Sequence, residues 1–233
     1  MNLSIQCERI NSMEELDCRE KRKQLVKDAK TSLILDAALE VLAQKGYYET
    51  RLEDIAEKAG FSKSALYRYY KDKDEIFLTI AVRERNRVYD KLTNDPQYRL
   101  DKQLHISENI RRFLSAAFTV WGEYFPFILT LNSFQVFSLI DQLQNQNDLM
   151  EIERDFLFGE SKFEELMTGL FDDAREKGEI TTVLTSTRIY DFLQGLVFAM
   201  VKNWYQQKSM EDIDDAVDQI LSFLGNGIGM SDK

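Results

Sequence analysis

Lys63, Ser64, Tyr67 and Arg68 lie within one short run and carry the chemistry that a nucleic-acid groove requires. Lysine and arginine donate to guanine edges or phosphate oxygens, and serine and tyrosine hydroxyls donate to phosphate. The run closes the stretch LEDIAEKAGFSKSALYRYY, residues 52–70, with Tyr69 beside it. That stretch reads as a short helix, a turn built on Gly60, and a second short helix. This is a helix-turn-helix, in which the second helix enters the major groove and the first crosses the backbone. A solvated polar face is the other reading of the same residues. The paired caps, the glycine turn and a basic approach, REKRKQLVKDAK over 19–30, together favour the groove.

Other chemistries find little support. His105 is the only histidine, so no histidine metal cluster and no Ser/His pair stands out. On a helix start, it reads as a surface residue. The acidic run Glu211, Asp212, Asp214, Asp215 and Asp218 lacks the glycine and terminal glutamate of a calcium loop. No glycine-rich phosphate loop is present. The expectation is no catalytic residue, no metal and no cofactor.

The elements that must position the groove residues are helices. Ser32 reads as the cap of the first firm helix, with Ile34, Ala37, Ala38, Val41 and Leu42 forming one apolar stripe and Gly46 ending it. Thr50 opens the next helix, with Glu53 completing a capping box, and Leu52, Ile55, Ala56 and Ala59 face inward. Ser62 caps the third helix, which turns Leu66 and Tyr70 inward. Asp72 and Glu75 open a fourth, which buries Ile76, Phe77, Ile80 and Ala81 and continues to about Leu92. A boundary falls over 93–100, around Pro96. Beyond it helices are expected at 104–124, 127–145, 149–177, 186–206 and 210–224, with a break near Gly159 left open. The fold class is all-α. A basic, partly disordered extension covers 1–30. A helix-turn-helix head with its connecting helix covers 31–92, and a larger helical domain covers 93–233.

Charge follows the same division. The net charge is −10, but residues 19–91 carry 17 Lys/Arg against 13 Asp/Glu, and residues 92–233 carry 12 against 23. A nucleic-acid surface therefore belongs in the first segment. Cys7 and Cys18 are the only cysteines and read as free thiols, which suits a cytoplasmic protein. No apolar run reaches membrane-span length and no secretory signal is visible.

From Ile34 to Phe77 the chain resembles the amino-terminal domain of the TetR/AcrR family of transcriptional regulators. The matching residues are Tyr47, Thr50, Ile55-Ala56, Ala59-Gly60, Ser62-Lys63, Leu66-Tyr67 and Lys73. The resemblance implies that Thr50 and Lys73 grip phosphates from helix amino termini, that Tyr67 and Tyr69 contact backbone or bases, and that Lys63, Ser64 and Arg68 face the groove. Arg51 stands where a small hydroxyl residue is common and could add a phosphate contact. Tyr70 replaces a usual phenylalanine and needs a hydroxyl partner if buried. Lys21, Arg22 and Lys23 either reach a neighbouring groove or form a solvated tail.

The second domain offers two surfaces. Ile189, Phe192, Leu193, Leu196, Val197, Met200, Val201 and Trp204 form a stripe with a Gly195/Ala199 seam. Ile213, Ala216, Val217, Ile220, Leu221 and Leu224 form another. Two such helices per subunit can build a four-helix homodimer interface, centred on Phe192, Gly195, Leu196, Ala199, Ile213, Val217, Ile220 and Leu224, or simply fill the subunit core. Aromatics crowd residues 113–163. Such a run fills a plain core or, as the resemblance implies for these helices, encloses an effector cavity; in the second case Trp121, Phe125, Asn132, Phe134 and Phe137, closed by Tyr190 and Trp204, are the expected lining for a small hydrophobic effector. The function expected is a ligand-responsive repressor on a near-palindromic duplex operator, with activation equally open to the sequence. The alternative is a helical small-molecule carrier or enzyme with a vestigial head.

Overall fold

The computed structural model describes residues 3–122 and 150–228, without the side chains of 3–18, 157–161, 205 and 228. Its regular elements are all helices: α1 (Leu3–Glu49), α2 (Leu52–Ala59), α3 (Lys63–Leu66), α4 (Lys73–Asn94), α5 (Ile106–Trp121), α6 (Glu151–Glu176), α7 (Ser186–Gln207) and α8 (Ile213–Ile228). The expected helix over 127–145 lies outside the described residues.

The expected extension is helical from Leu3 and runs unbroken into α1, so Ser32 caps nothing; its hydroxyl donates to Asp36 at 3.5 Å. The reason lies in residues 19–30, which are mostly Lys, Arg, Gln, Glu, Leu and Ala with no glycine or proline, and so stop no helix. Gly46 breaks α1 with φ 76°, and one further turn carries Tyr47 to Glu49. Likewise α6 passes through Gly159 without a break. His105 is half-buried and caps α5, its Nδ1 accepting from the Ser107 amide at 3.3 Å, rather than lying idle on the surface.

The head closes on Ile34, Leu42, Ile55, Leu66, Ile76 and Phe77, all buried. The second domain closes on Ile110, Phe118, Phe171, Ile189, Trp204 and Val217, also buried. These form one continuous core, because α4 contributes Ile76 and Ile80 at one end and Val88 and Leu92 at the other. Helices α1 and α4 run antiparallel. Tyr47 meets Asp74 at one end, and Asp36 meets Arg83 at 2.7 Å further along.

Polar ties fasten α4 on both sides. Glu84 is only 2% exposed and accepts from Arg83 Nε at 2.8 Å and from Arg87 at 2.6 Å. Arg85 donates across to α6, to the carbonyls of Asp155 at 2.5 Å and Phe156 at 3.1 Å. The 95–105 connection is pinned by Asn109, whose amide bonds both the Asp101 N–H and its carbonyl at 2.9 Å.

Removing one partner from a buried ionic cluster leaves the other uncompensated. Glu84→Ala is expected to cost about 2 kcal/mol, below the roughly 3–5 kcal/mol of a fully dry pair because both arginines keep some solvent access. Glu84→Gln, which keeps an acceptor, should cost less. Urea denaturation of the three proteins checks the ranking.

Candidate DNA-binding surface

The turn between α2 and α3 is fixed by backbone geometry. Gly60 adopts φ 73°, ψ 27°, a left-handed conformation that costs a Cβ-bearing residue about 1–2 kcal/mol. The Gly60 and Phe61 amides then reach back to Glu57 at 3.1 Å and Ala56 at 2.8 Å, satisfying carbonyls at the end of α2. Ser62 caps α3 as expected, accepting from the Ala65 amide at 3.2 Å. Past Leu66 the chain stays in tight turns, with the Tyr69 and Tyr70 amides donating to Leu66 at 2.9 and 3.1 Å. Leu66 and Tyr70 are buried, and Tyr69 stacks edge-on against Phe61 at 6.1 Å.

This anchoring leaves Lys63, Ser64, Tyr67 and Arg68 together on the exposed side, with Tyr67 49% exposed. Lys63 pairs with Glu53 and lies 5.8 Å from the Tyr67 ring. The hydrogen bond with Glu53 pushes the Lys63 pKa up and that of Glu53 down; both side chains are exposed, so solvent screens the pair. Ser64 shares a hydrogen bond with Ser62 at 3.1 Å. Arg51 and Arg68 are exposed, and their side chains form no ion pair among the described residues.

Two expected phosphate ligands are turned inward. Thr50 is 2% exposed, and its hydroxyl donates to the Gly46 carbonyl at 2.7 Å. The cap of α2 shifts by one residue to Arg51, whose amide donates to Asp54 at 3.0 Å, and Glu53 is left free to hold Lys63. Lys73 donates to the carbonyls of Tyr47 at 2.6 Å and Thr50 at 3.1 Å, with its ammonium 4.2 Å over the Tyr47 ring. Burial pushes the Lys73 pKa down. Tyr47 in turn donates to Asp74. Lys73 is thus a clasp closing the α1–α2 corner onto α4. The pattern of residue types gave no sign of it, because the acceptors are backbone carbonyls bared by the Gly46 break.

Residues 34–80 match the model of the amino-terminal domain of the bacterial regulatory proteins of the tetR family. Residues 34–80 thus carry a tetR-family amino-terminal domain. The chain's relatives are DNA-binding transcriptional regulators. Over 195 residues the chain is 20% identical to the fatty acid metabolism regulator protein of Bacillus subtilis, covering 84% of this chain and 93% of that one. It is 44% identical over 52 residues to the transcriptional regulator RutR of Escherichia coli, a match confined to 22% of this chain and 24% of the relative. The fold superposes on the crystal structure of Bacillus subtilis FadR in complex with stearoyl-CoA with a TM-score of 0.62 and 19% identity, covering 84% and 98% of the two chains. Among the described residues no helix is long and apolar enough to cross a membrane, and no cluster of potential metal ligands occurs.

The remaining expected residues divide. Phe125, Asn132, Phe134 and Phe137 lie outside the described residues. Trp121 is half-buried, whereas Tyr190 and Trp204 are buried, with Trp204 edge-on to Phe118 at 4.9 Å. Val217, Ile220 and Leu224 are buried within the subunit, which corrects their assignment to a dimer interface: they face α5 and α7. Of the other expected interface residues, Phe192, Gly195 and Ala199 are exposed, and Leu196 and Ile213 are half-buried. Phe223, which the sequence stripe passed over, is 65% exposed.

Tyr70 has no partner for its buried hydroxyl, an arrangement worth about 1–3 kcal/mol of lost hydration. Tyr70→Phe is therefore expected to raise stability by about 1 kcal/mol. Burial raises the pKa of both Tyr70 and Tyr47 above the ordinary 10.0. The unfolded chain ionises first as pH climbs past about 10, so stability is unaffected by these phenols' titration below that pH and falls above it. Unfolding midpoints measured against pH should fall above pH ~10, and less steeply in Tyr70→Phe.

Proposed function

We propose that the chain is a homodimeric, ligand-responsive transcriptional repressor, acting in the cytoplasm. It holds a near-palindromic operator and is released from it by a small hydrophobic effector of the long-chain acyl-CoA class. The observation that carries the DNA reading is the exposed set Lys63, Ser64, Tyr67 and Arg68, held on one side of α3 while Leu66 and Tyr70 are buried on the other. Arg68 and Lys63 supply base-edge or phosphate donors, and Tyr67, Ser64 and Tyr69 supply phosphate contacts. Arg51, at the amino terminus of α2, adds a cation where backbone amides also favour an anion. Thr50 and Lys73 hold the corner that sets the angle of these groups. Two heads related by a two-fold axis then address major grooves one helical turn apart.

The effector class is supported by the reach of the likeness. The similarity to the fatty acid metabolism regulator extends through the second domain as well as the head, over 84% of this chain. The FadR structure that shares the fold holds stearoyl-CoA. An aromatic-rich helical domain suits an acyl chain. For the dimer, Phe192, Gly195 and Ala199 on α7 and Phe223 on α8 offer apolar and small surface at the solvent face.

Tyr67→Ala and Arg68→Ala are each expected to weaken binding to the DNA upstream of the gene by about 1–3 kcal/mol, read by gel shift. Stearoyl-CoA should release the wild-type complex. Phe192→Glu should move the sedimentation coefficient towards a monomer. Undiminished operator affinity in both head variants would refute the docking model. An unmoved complex in saturating stearoyl-CoA would refute the effector class alone.

A further inference from the structure

The positive charge of the amino-terminal third is not located where the recognition residues are. Residues 31–91 carry 11 Lys/Arg and 11 Asp/Glu, so the head itself is neutral. The whole surplus resides in 19–30, where Arg19, Lys21, Arg22, Lys23, Lys27 and Lys30 face only Glu20 and Asp28. Many cations of the head are engaged: Lys45 with Asp54 at 2.8 Å, Lys58 with Glu40 at 2.5 Å, Lys63 with Glu53, Arg83 and Arg87 with Glu84, and Lys73 with two carbonyls. On the arm, Arg19, Arg22, Lys23, Lys27 and Lys30 form no ion pair or hydrogen bond among the described residues. Every residue from 19 to 30 is exposed, and Asp28 is already occupied by the Gln24 amide at 2.7 Å.

The helix gives these cations a geometry. At 3.6 residues per turn, Arg19, Lys23, Lys27 and Lys30 fall within an arc of about 80° and span about 16 Å of axis. They form a stripe on a rod continuous with the part of α1 that packs on α2 and α4. Lys30, the nearest of them to the Gly46 corner, stands about 24 Å along the axis from it.

A neutral head on a molecule of net charge −10 has little long-range attraction for a polyanion. We infer that the stripe Arg19–Lys23–Lys27–Lys30 is a second, sequence-independent duplex-binding surface, gripping phosphates that flank the half-site read by Lys63 to Arg68. The inference rests on the DNA reading above and adds the element that supplies its electrostatic affinity. Duplex DNA presents about one charge per 1.7 Å of axis, so a stripe of this length faces several phosphates, and each contact releases counterions. An anionic bilayer is the competing occupant, since Val26 and Leu33 lie exposed beside the stripe. Rigid continuity with the helix-turn-helix favours the duplex.

The test is the full-length variant R19Q/K23Q/K27Q/K30Q, because glutamine preserves helix propensity, alongside the full-length double variant K23Q/K27Q. Affinity is measured from about 50 to about 200 mM salt for a long duplex from upstream of the gene and for one trimmed to the half-sites. On the long duplex both variants should lower the slope of log K against log salt by at least about 2 per dimer, at about 0.9 per phosphate contact. On the trimmed duplex they should match wild type. Equal slopes on the long duplex, with wild-type binding intact, overturn the arm's role and leave the operator reading standing. Loss of binding to phosphatidylglycerol vesicles with unchanged duplex slopes overturns it in favour of a bilayer. A wild-type protein that binds no duplex overturns both.

Discussion

Helix α4 belongs to two cores at once, and the rest of the architecture follows from that constraint. Its first turns bury Ile76, Phe77 and Ile80 against the head, and its later turns bury Val88 and Leu92 against α5 and α6. A helix held this way cannot rotate to suit one domain without unpacking the other, because close-packed interiors move between discrete arrangements rather than deforming smoothly. The polar ties follow the same plan. Arg83 reaches back to Asp36 on α1, and Arg85 reaches across to the Asp155 and Phe156 carbonyls on α6. Glu84 lies between them in sequence and is desolvated, so its two arginines are held in fixed positions.

The recognition surface depends on α4 through a single corner. The break at Gly46 bares carbonyls that a continuing helix would have used, and Lys73 at the start of α4 takes up two nearby ones, from Tyr47 and Thr50. Thr50 satisfies the Gly46 carbonyl itself. These bonds join the end of α1 and the beginning of α2 to the beginning of α4, so the helix-turn-helix is carried by α4 as a body. Its exposed side then owes its orientation to buried neighbours: Leu66 and Tyr70 point in, and that forces Tyr67 and Arg68 out.

What the sequence made legible was whatever has a local cause. Gly60, the Ser62 cap, the Asp72 cap with Glu75, and the apolar spacing of Ile55, Leu66 and Ile76 each act within a turn or two of chain, and each is found where its chemistry places it. Readings that needed a partner distant in sequence fared differently. Lys73 and Thr50 look like phosphate ligands until the carbonyls they meet are known. Val217, Ile220 and Leu224 make a stripe that periodicity cannot assign to a neighbouring helix or to a neighbouring subunit, and packing gives them to the former. Ser32 has the chemistry of a cap, but capping requires the helix to begin there, and nothing in 19–30 prevents it from beginning earlier.

The clasped corner and the shared helix together set the terms on which the proposed second-domain ligand would act on the head. A ligand shifts an equilibrium only by its differential affinity for the two arrangements, typically about 1–3 kcal/mol for a coupled pair of sites. A binding event among α5 to α7 that displaced α6 at Asp155 and Phe156 would strain the Arg85 bonds before it disturbed any residue of the helix-turn-helix. The head can relieve that strain only by moving with α4, because Lys73, Arg83 and the buried Ile76, Phe77 and Ile80 bind it to that helix. Coupling of this kind needs no flexible head. It needs a stiff one, and the density of bonds at the Gly46 corner is what stiffness requires.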